Sequence, residues 1–253
     1  MPIFFAYFFV KIYKLFLFFY FMTGSIKKEF ENLRNPEKAL ILKRFFKTGK
    51  GEYGQGDVFL GIIVPKQREL AKKFGNLGLK DIQNLLNSKV HEHRLTSLFI
   101  LIERFKKADE KGKKEIFEFY LRNTKNINNW DLVDLSAPNI VGNYLLDKNR
   151  GILYKLAKSN NLWEKRIAVL STFAFIREKD FDDSLRVAEI LLNEKHDLIH
   201  KAVGWMLREI GKRSQPAEER FLRKHYKTMP RTMLRYAIER FDDRKKAFYM
   251  KQD

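Results

Sequence analysis

From Met22 onward the apolar positions recur with a helical period and show no convincing two-residue alternation. Leu95, Leu98, Phe99, Ile102 and Phe105 form one stripe, and Ile116, Phe117, Phe119 and Tyr120 a denser one. Asn35 before Pro36 reads as an N-cap with proline at the first helical position, and the helix it opens carries Leu40 and Phe46. Pro65 opens another short helix that ends near Gly75. Between them, residues 48–57 contain Gly49, Gly51, Gly54 and Gly56 and predict a loop. These glycines match neither a P-loop nor a dinucleotide fingerprint, because no strand precedes them and no Gly-Lys-Ser/Thr follows. The predicted fold class is all-α.

The helices also repeat among themselves. Arg94-Leu95-Thr96, Arg166-Ile167-Ala168 and Lys201-Ala202-Val203 each join a basic, an apolar and a small or β-branched residue, and read as helix starts. Arg94 and Arg166 are 72 residues apart, and Arg166 and Lys201 are 35 apart. Halving the longer interval puts a missing unit at position 130, where Trp130 opens a helix. Arg235, 34 residues beyond Lys201, begins a further one. A period near 35 with two helices per unit predicts HEAT-like repeats stacked into an α-α superhelix. Coincidental spacing of ordinary amphipathic helices is the alternative. In a solenoid, equivalent helices line one wall, so Arg94, Arg166, Lys201 and Arg235 would form a basic ridge in a concave groove suited to a phosphate backbone. Any one of them taken alone reads as a solvated helix-start cation.

Charge sharpens this picture. The 253 residues carry 50 Lys+Arg against 31 Asp+Glu, a formal charge of +19. Such an excess opposes compaction by self-repulsion and points to a polyanionic partner, nucleic acid ahead of an anionic membrane. There is no cysteine, which excludes disulfides, thiolate catalysis and Cys-ligated zinc. Nothing requires an oxidising compartment, and a cytoplasmic, nucleoid-associated protein is expected. The length suits one large domain or two small ones; the repeat favours a single domain over 22–253.

Residues 1–21 stand apart. From Ile3 to Phe21 the chain is apolar and Phe-rich, interrupted by Lys11 and Lys14. About 20 such residues reach across a bilayer, although each central lysine costs roughly 2.5–3.5 kcal/mol of insertion free energy. No small-residue cleavage site follows. A membrane anchor, a helix packed on the body and an extension upstream of a start at Met22 are the three readings. The third is preferred, because Met22-Thr23-Gly24-Ser25 opens a normal polar helix start. Only two of the positive charges lie in this segment, so the basic argument is independent of it.

The candidate chemistry centres on residues 129–134. Asn129 is placed to cap a helix, and Trp130 and Asp134, four apart, share one of its faces. A carboxylate in a groove of Lys and Arg weakens polyanion binding unless it has another task. Stabilising a developing oxocarbenium cation or activating water would be such a task. The alternative is a structural Asp paired with a neighbouring Arg or capping a helix, a role that suits Asp131 in the first turn. Trp163 reads as a core or staple residue. Trp205 lies one turn after Lys201, where an exposed indole would contact sugar or base and a buried one would be core. His196 and His200 have helical metal-ligand spacing but no third ligand, and no carboxylate cluster is evident. No metal and no cofactor are expected.

Four segments together resemble the AlkD-type DNA alkylation repair family of HEAT-like repeat alkylpurine glycosylases. They are Phe59-Leu60-Gly61-Ile62 with Val64-Pro65-Lys66-Gln67-Arg68, Asn129-Trp130-Asp131-Leu132-Val133-Asp134, Trp163-Glu164-Lys165-Arg166-Ile167-Ala168, and Lys201-Ala202-Val203-Gly204-Trp205-Met206-Leu207-Arg208-Glu209. The resemblance spans roughly residues 26 to 240. It implies a superhelix around duplex DNA and hydrolysis of the N-glycosidic bond of cationic purines such as 3-methyladenine and 7-methylguanine. It also implies that Asp134 stabilises positive charge on the deoxyribose and positions water, that Trp130 and Trp205 present π-faces to the sugar, and that Arg166 holds a phosphate. The lesion would remain stacked rather than be flipped out. Where the family can carry a DNA-facing Tyr, this chain has Phe45, without the hydroxyl. The expected partner is duplex DNA with alkylated purines, bound by a monomer without cofactor; membrane contact through residues 3–21 is left open. A non-catalytic nucleic-acid-binding module is the alternative function, and a membrane-associated scaffold a third.

Overall fold

The computed structural model describes residues 26–251, so the readings of residues 1–21 lie outside the described residues. Among the described residues the fold is all-α, and the only β-type pairing is an isolated bridge between Val58 and Val90. No helix among them is long and apolar enough to cross a membrane. The helices gather into two compact units, divided after Asp109.

The first unit holds α1 (26–32), α2 (Pro36–Phe45), α3 (Val64–Lys73), α4 (Leu79–Leu86) and α5 (His91–Lys107). Asn35 caps α2 as the sequence predicts, its side-chain oxygen accepting the Lys38 N–H at 2.9 Å. Residues 48–57 form no helix. The chain then passes close beneath α2, where Gly61 has φ +84 and a Cβ there would meet the Asn35 carbonyl oxygen at 2.1 Å, so only glycine fits. Its neighbours are fixed by one buried carboxylate: Glu92 accepts the N–H groups of Leu60, Gly61 and Ile62 at 2.8–3.2 Å. The apolar stripe of α2 differs from expectation, because Phe46 is buried whereas Leu40, Ile41 and Phe45 face solvent.

Arg94 is the first correction. It is 4% exposed, and its guanidinium lies 2.7 Å from the Asp57 carboxylate at the end of the glycine-rich loop. His91 Nδ1 also contacts Asp57, at 3.2 Å. Burial works to raise the Asp57 carboxyl, but the His91 and Arg94 partners overcome it and hold it below the usual carboxylate range. The cause of the difference is the setting of α5. Every residue from His91 to Ile102 is buried, so a position that reads as a solvated helix start lies in the core.

The second unit is built from two layers. One contains α7 (Trp130–Ala137), α9 (Leu162–Ser171), α12 (Asp197–Gly211) and α14 (Arg231–Ala237), each packed on the next. Against them lie α6 (Glu110–Arg122), α8 (Gly151–Ala157), α11 (Asp182–Ile190) and α13 (Gln215–His225). Short α10 (Phe173–Arg177) follows α9, and α15 (Asp243–Met250) closes the chain. The outer layer is stitched by charge, with Glu189 of α11 meeting Lys224 and His225 of α13 at 2.7 and 3.0 Å. The inner layer depends on close approach. A Cβ at Gly204 in α12 would meet the Met233 carbonyl oxygen of α14 at 2.4 Å and the Tyr236 Cβ at 2.5 Å.

Candidate functional site

The four inner helices begin at 130, 162, 197 and 231. The period read from the sequence is therefore present in this unit, but its phase is different. The basic triplets lie one turn inside the helices, because the chain enters each helix through an upstream cap: Asn161 accepts the Trp163 and Glu164 N–H groups, and His196 accepts the Leu198 N–H. The fifth residues of the four helices are Asp134, Arg166, Lys201 and Arg235. In the α7 unit the equivalent of Arg166 is thus Asp134 and not Trp130. One position in the row carries the opposite sign.

That inversion creates the central contact of the unit. Arg166 reaches across from α9 and grips Asp134 in a two-point fork, with Nε on Oδ1 at 2.8 Å and Nη2 on Oδ2 at 2.7 Å. Its remaining nitrogen, Nη1, donates to the Leu198 carbonyl in the first turn of α12. Three neighbouring helices of this layer, α7, α9 and α12, therefore meet at one guanidinium. The side chains are 6% and 11% exposed for Arg166 and Asp134. Burial raises the Asp134 carboxyl above its ordinary value; Arg166 pulls it back and Asp131 adds a smaller upward push. The net direction is upward. The geometry gives a carboxylate that is fixed, desolvated on most sides and still open on one.

The helix that presents Asp134 is held at both ends. The buried Asn129 side chain accepts the Trp130 N–H at 2.8 Å, so the expected cap is present. Asp131 is buried and accepts the Leu132 N–H at 2.8 Å, the local structural role anticipated for it. Two residues beyond Asp134, Ser136 meets the fully buried Tyr120 hydroxyl at 2.8 Å, and burial pushes that phenol up. α7 runs directly into a π-turn over Pro138–Gly142, a wider winding that recurs at functional places in helices.

The remaining candidates separate clearly. Trp163 is 8% exposed and belongs to the core. Trp130 and Trp205 are half-buried, each one turn from the fifth position of its helix. Trp205 lies 6.2 Å from the Phe173 ring, over which Arg177 is stacked at 4.3 Å. Lys201 is partly exposed and pairs with Asp197 on its own helix at 2.6 Å. Arg235 is exposed. The guanidinium expected to meet phosphate, Arg166, is instead buried on Asp134. His196 and His200 do not converge: His196 Nδ1 accepts a backbone N–H, whereas His200 Nε2 donates to the Glu194 carbonyl. Among the described residues no group of three potential ligands is placed to hold a metal. The Leu198 carbonyl is the participant that a sequence reading lacks, since a backbone atom leaves no side-chain signature.

Comparison with known proteins agrees with this architecture. A family model described as DNA alkylation repair enzyme matches residues 26–241. A solved structure described as a predicted DNA alkylation repair enzyme from Enterococcus faecalis shares the fold with a TM-score of 0.64 at 15% identity, over 83% of this chain and 97% of that one. No curated protein matches the sequence.

Proposed function

The chain belongs to the DNA alkylation repair enzyme family, and from that premise we propose that it is a DNA glycosylase that hydrolyses the N-glycosidic bond of cationic alkylpurines, 3-methyladenine and 7-methylguanine, in duplex DNA. The observation that carries this reading is the Asp134–Arg166 fork. A carboxylate in a row of cations opposes binding of a polyanion, and it is nevertheless held at both oxygens by Arg166, which is itself tied to the Leu198 carbonyl.

An N3- or N7-alkylated purine is already positively charged. When its bond to C1′ breaks, the electron pair leaves with the base, which departs neutral, and the positive charge moves to C1′ and the ring oxygen of the sugar. No strong general acid is needed. What lowers the barrier is negative charge held beside that developing cation in a dry setting. Asp134 supplies it. The same carboxylate then orients water, which adds to C1′ and passes a proton through the carboxylate to solvent, leaving an abasic site and the free base. Trp130 and Trp205, each one turn from its row position, offer π-faces that favour a cation and exclude water. Arg166 serves here as a positioning residue for Asp134. The phosphate contacts fall to the more exposed Lys201 and Arg235, and Arg94 has no part in them because it is buried on Asp57.

The test is release of 7-methylguanine from duplex DNA by the wild-type chain and by Asp134→Asn. Release by the first alone, with duplex binding retained or strengthened in the second, supports the glycosylase. Binding without release by either, also on a 3-methyladenine substrate, would instead favour a binding module.

A further inference from the structure

The segment leading into α12 carries a chain of contacts that ends at Asp134. His196 is the N-cap of α12, and its Nδ1 accepts the Leu198 N–H at 3.2 Å. The carbonyl of that same residue accepts from Arg166 Nη1. Arg166 holds Asp134 through its other two nitrogens. A guanidinium tied to a carboxylate alone can swing with it as one body. The third hydrogen bond, to the backbone of the next repeat, fixes the plane of the pair. Residue 198 is therefore restrained at its N–H by His196 and restrains Arg166 at its carbonyl.

We propose that His196 is a positioning residue for Asp134, acting as the cap that sets the Leu198 carbonyl and, through Arg166, the orientation of the carboxylate. The effect on rate rests on the glycosylase reading; the relay itself does not.

The choice of cap matters. Ser, Thr, Asp and Asn are the usual N-caps and accept at any neutral pH. An imidazole accepts at Nδ1 only while that nitrogen is unprotonated. The surroundings favour that form. The partial cover over its ring is the leading cause that holds His196 below its usual value; Glu194 and Asp197 oppose this, and His200 and Arg166 reinforce it. The two carboxylates are themselves engaged, Glu194 with Lys165 of α9 and Asp197 with Lys201 of α12. His196 is exposed and outside the core, so replacing it tests the relay with little effect on folding.

The experiment uses the full chain, labelled with nitrogen-15, as wild type, His196→Ala and His196→Asn. Two quantities are read: solvent exchange of the Arg166 Nε–H proton, and single-turnover release of 7-methylguanine from duplex DNA. The expected result for His196→Ala is about fivefold faster Nε–H exchange and a chemical step slower by about the same factor, the rate equivalent of one helix cap, with duplex affinity unchanged. His196→Asn restores both. Unchanged Nε–H exchange in His196→Ala overturns the relay whether or not the wild type releases base. Faster exchange with an unchanged chemical step overturns the positioning role, and a His196→Asn variant that behaves like His196→Ala overturns capping as its cause. Absence of release by the wild type would count against the glycosylase alone, leaving the exchange measurement to decide the relay.

Discussion

Removing the guanidinium from beside Asp134 gives the sharpest test of the site. In Arg166→Met the carboxyl keeps its burial but loses the partner that offsets it. Two unit charges about 4 Å apart attract by about 4 kcal/mol at an effective dielectric of about 20. One pKa unit corresponds to about 1.36 kcal/mol, so the upper limit is about three units. The 11% exposure of Asp134 admits water to one side of the pair, and we expect about two units once that screening is counted. The direction follows from the proposed glycosylase chemistry, in which the ionised carboxylate is the working form, so that activity falls as pH falls through its pKa. Since that pKa is already raised in the wild type, its acid limb should lie above the ordinary carboxylate range, and in Arg166→Met it should move up by about two further pH units. The assay is single-turnover release of 7-methylguanine between about pH 5 and 8.5, with a thermal melt as a folding control and Arg166→Lys as the variant that keeps charge without the fork. An activity deficit that is the same at every pH would refute the reasoning. So would an unmoved limb together with a salt dependence of duplex binding shallower by about one, because that result puts Arg166 on a phosphate.

Two further outcomes follow from packing and burial. Gly204→Ala drives a methyl into the Met233 carbonyl and the Tyr236 Cβ, at 2.4 and 2.5 Å, and should lower stability by about 1–3 kcal/mol in denaturant unfolding; a neutral result would mean that α12 and α14 separate freely. Glu218 is 1% exposed, its Oε1 has no hydrogen-bond partner among the described residues, and burial, with Glu219 adding to it, pushes its carboxyl up to about 8. A raised folded-state pKa contributes stability at low pH that is lost as pH rises towards 8, so Glu218→Gln should flatten that decline and raise the melting temperature at pH 8 by about 3 °C or more.

Much of the second unit was legible because its signals are local. The Asn129 cap, the helical stripes and the period near 35 are all written in neighbouring residues, and all are present in the structure. The phase was harder to read. A basic residue followed by apolar ones reads as a helix start, yet the helices begin a turn earlier, behind Asn161 and His196. Equal spacing of the basic triplets consequently aligns Trp130 with Arg166 and hides the correspondence of Arg166 with Asp134. Arg94 could not be placed from its surroundings in sequence, since whether α5 is covered on every side depends on residues far away such as Asp57. For the same reason the sequence does not show that, of the two apolar residues it places on α2 and its end, Phe46 is buried and Leu40 is exposed.

The single reversed sign among the fifth residues of α7, α9, α12 and α14 marks one repeat out from the others. A uniformly positive track lets a polyanion slide with no preferred stopping point. One negative member turns the track into a ruler with a single mark, and the helix that follows supplies the clamp that holds the mark still. That clamp needs three members in order: the carboxylate, a guanidinium from the next inner helix and a backbone carbonyl from the one after. α7, α9 and α12 supply all three. An aspartate in place of Lys201 would have only the exposed Arg235 of α14 beside it and no further inner helix to hold that cation, so the mark stands where two more repeats follow it.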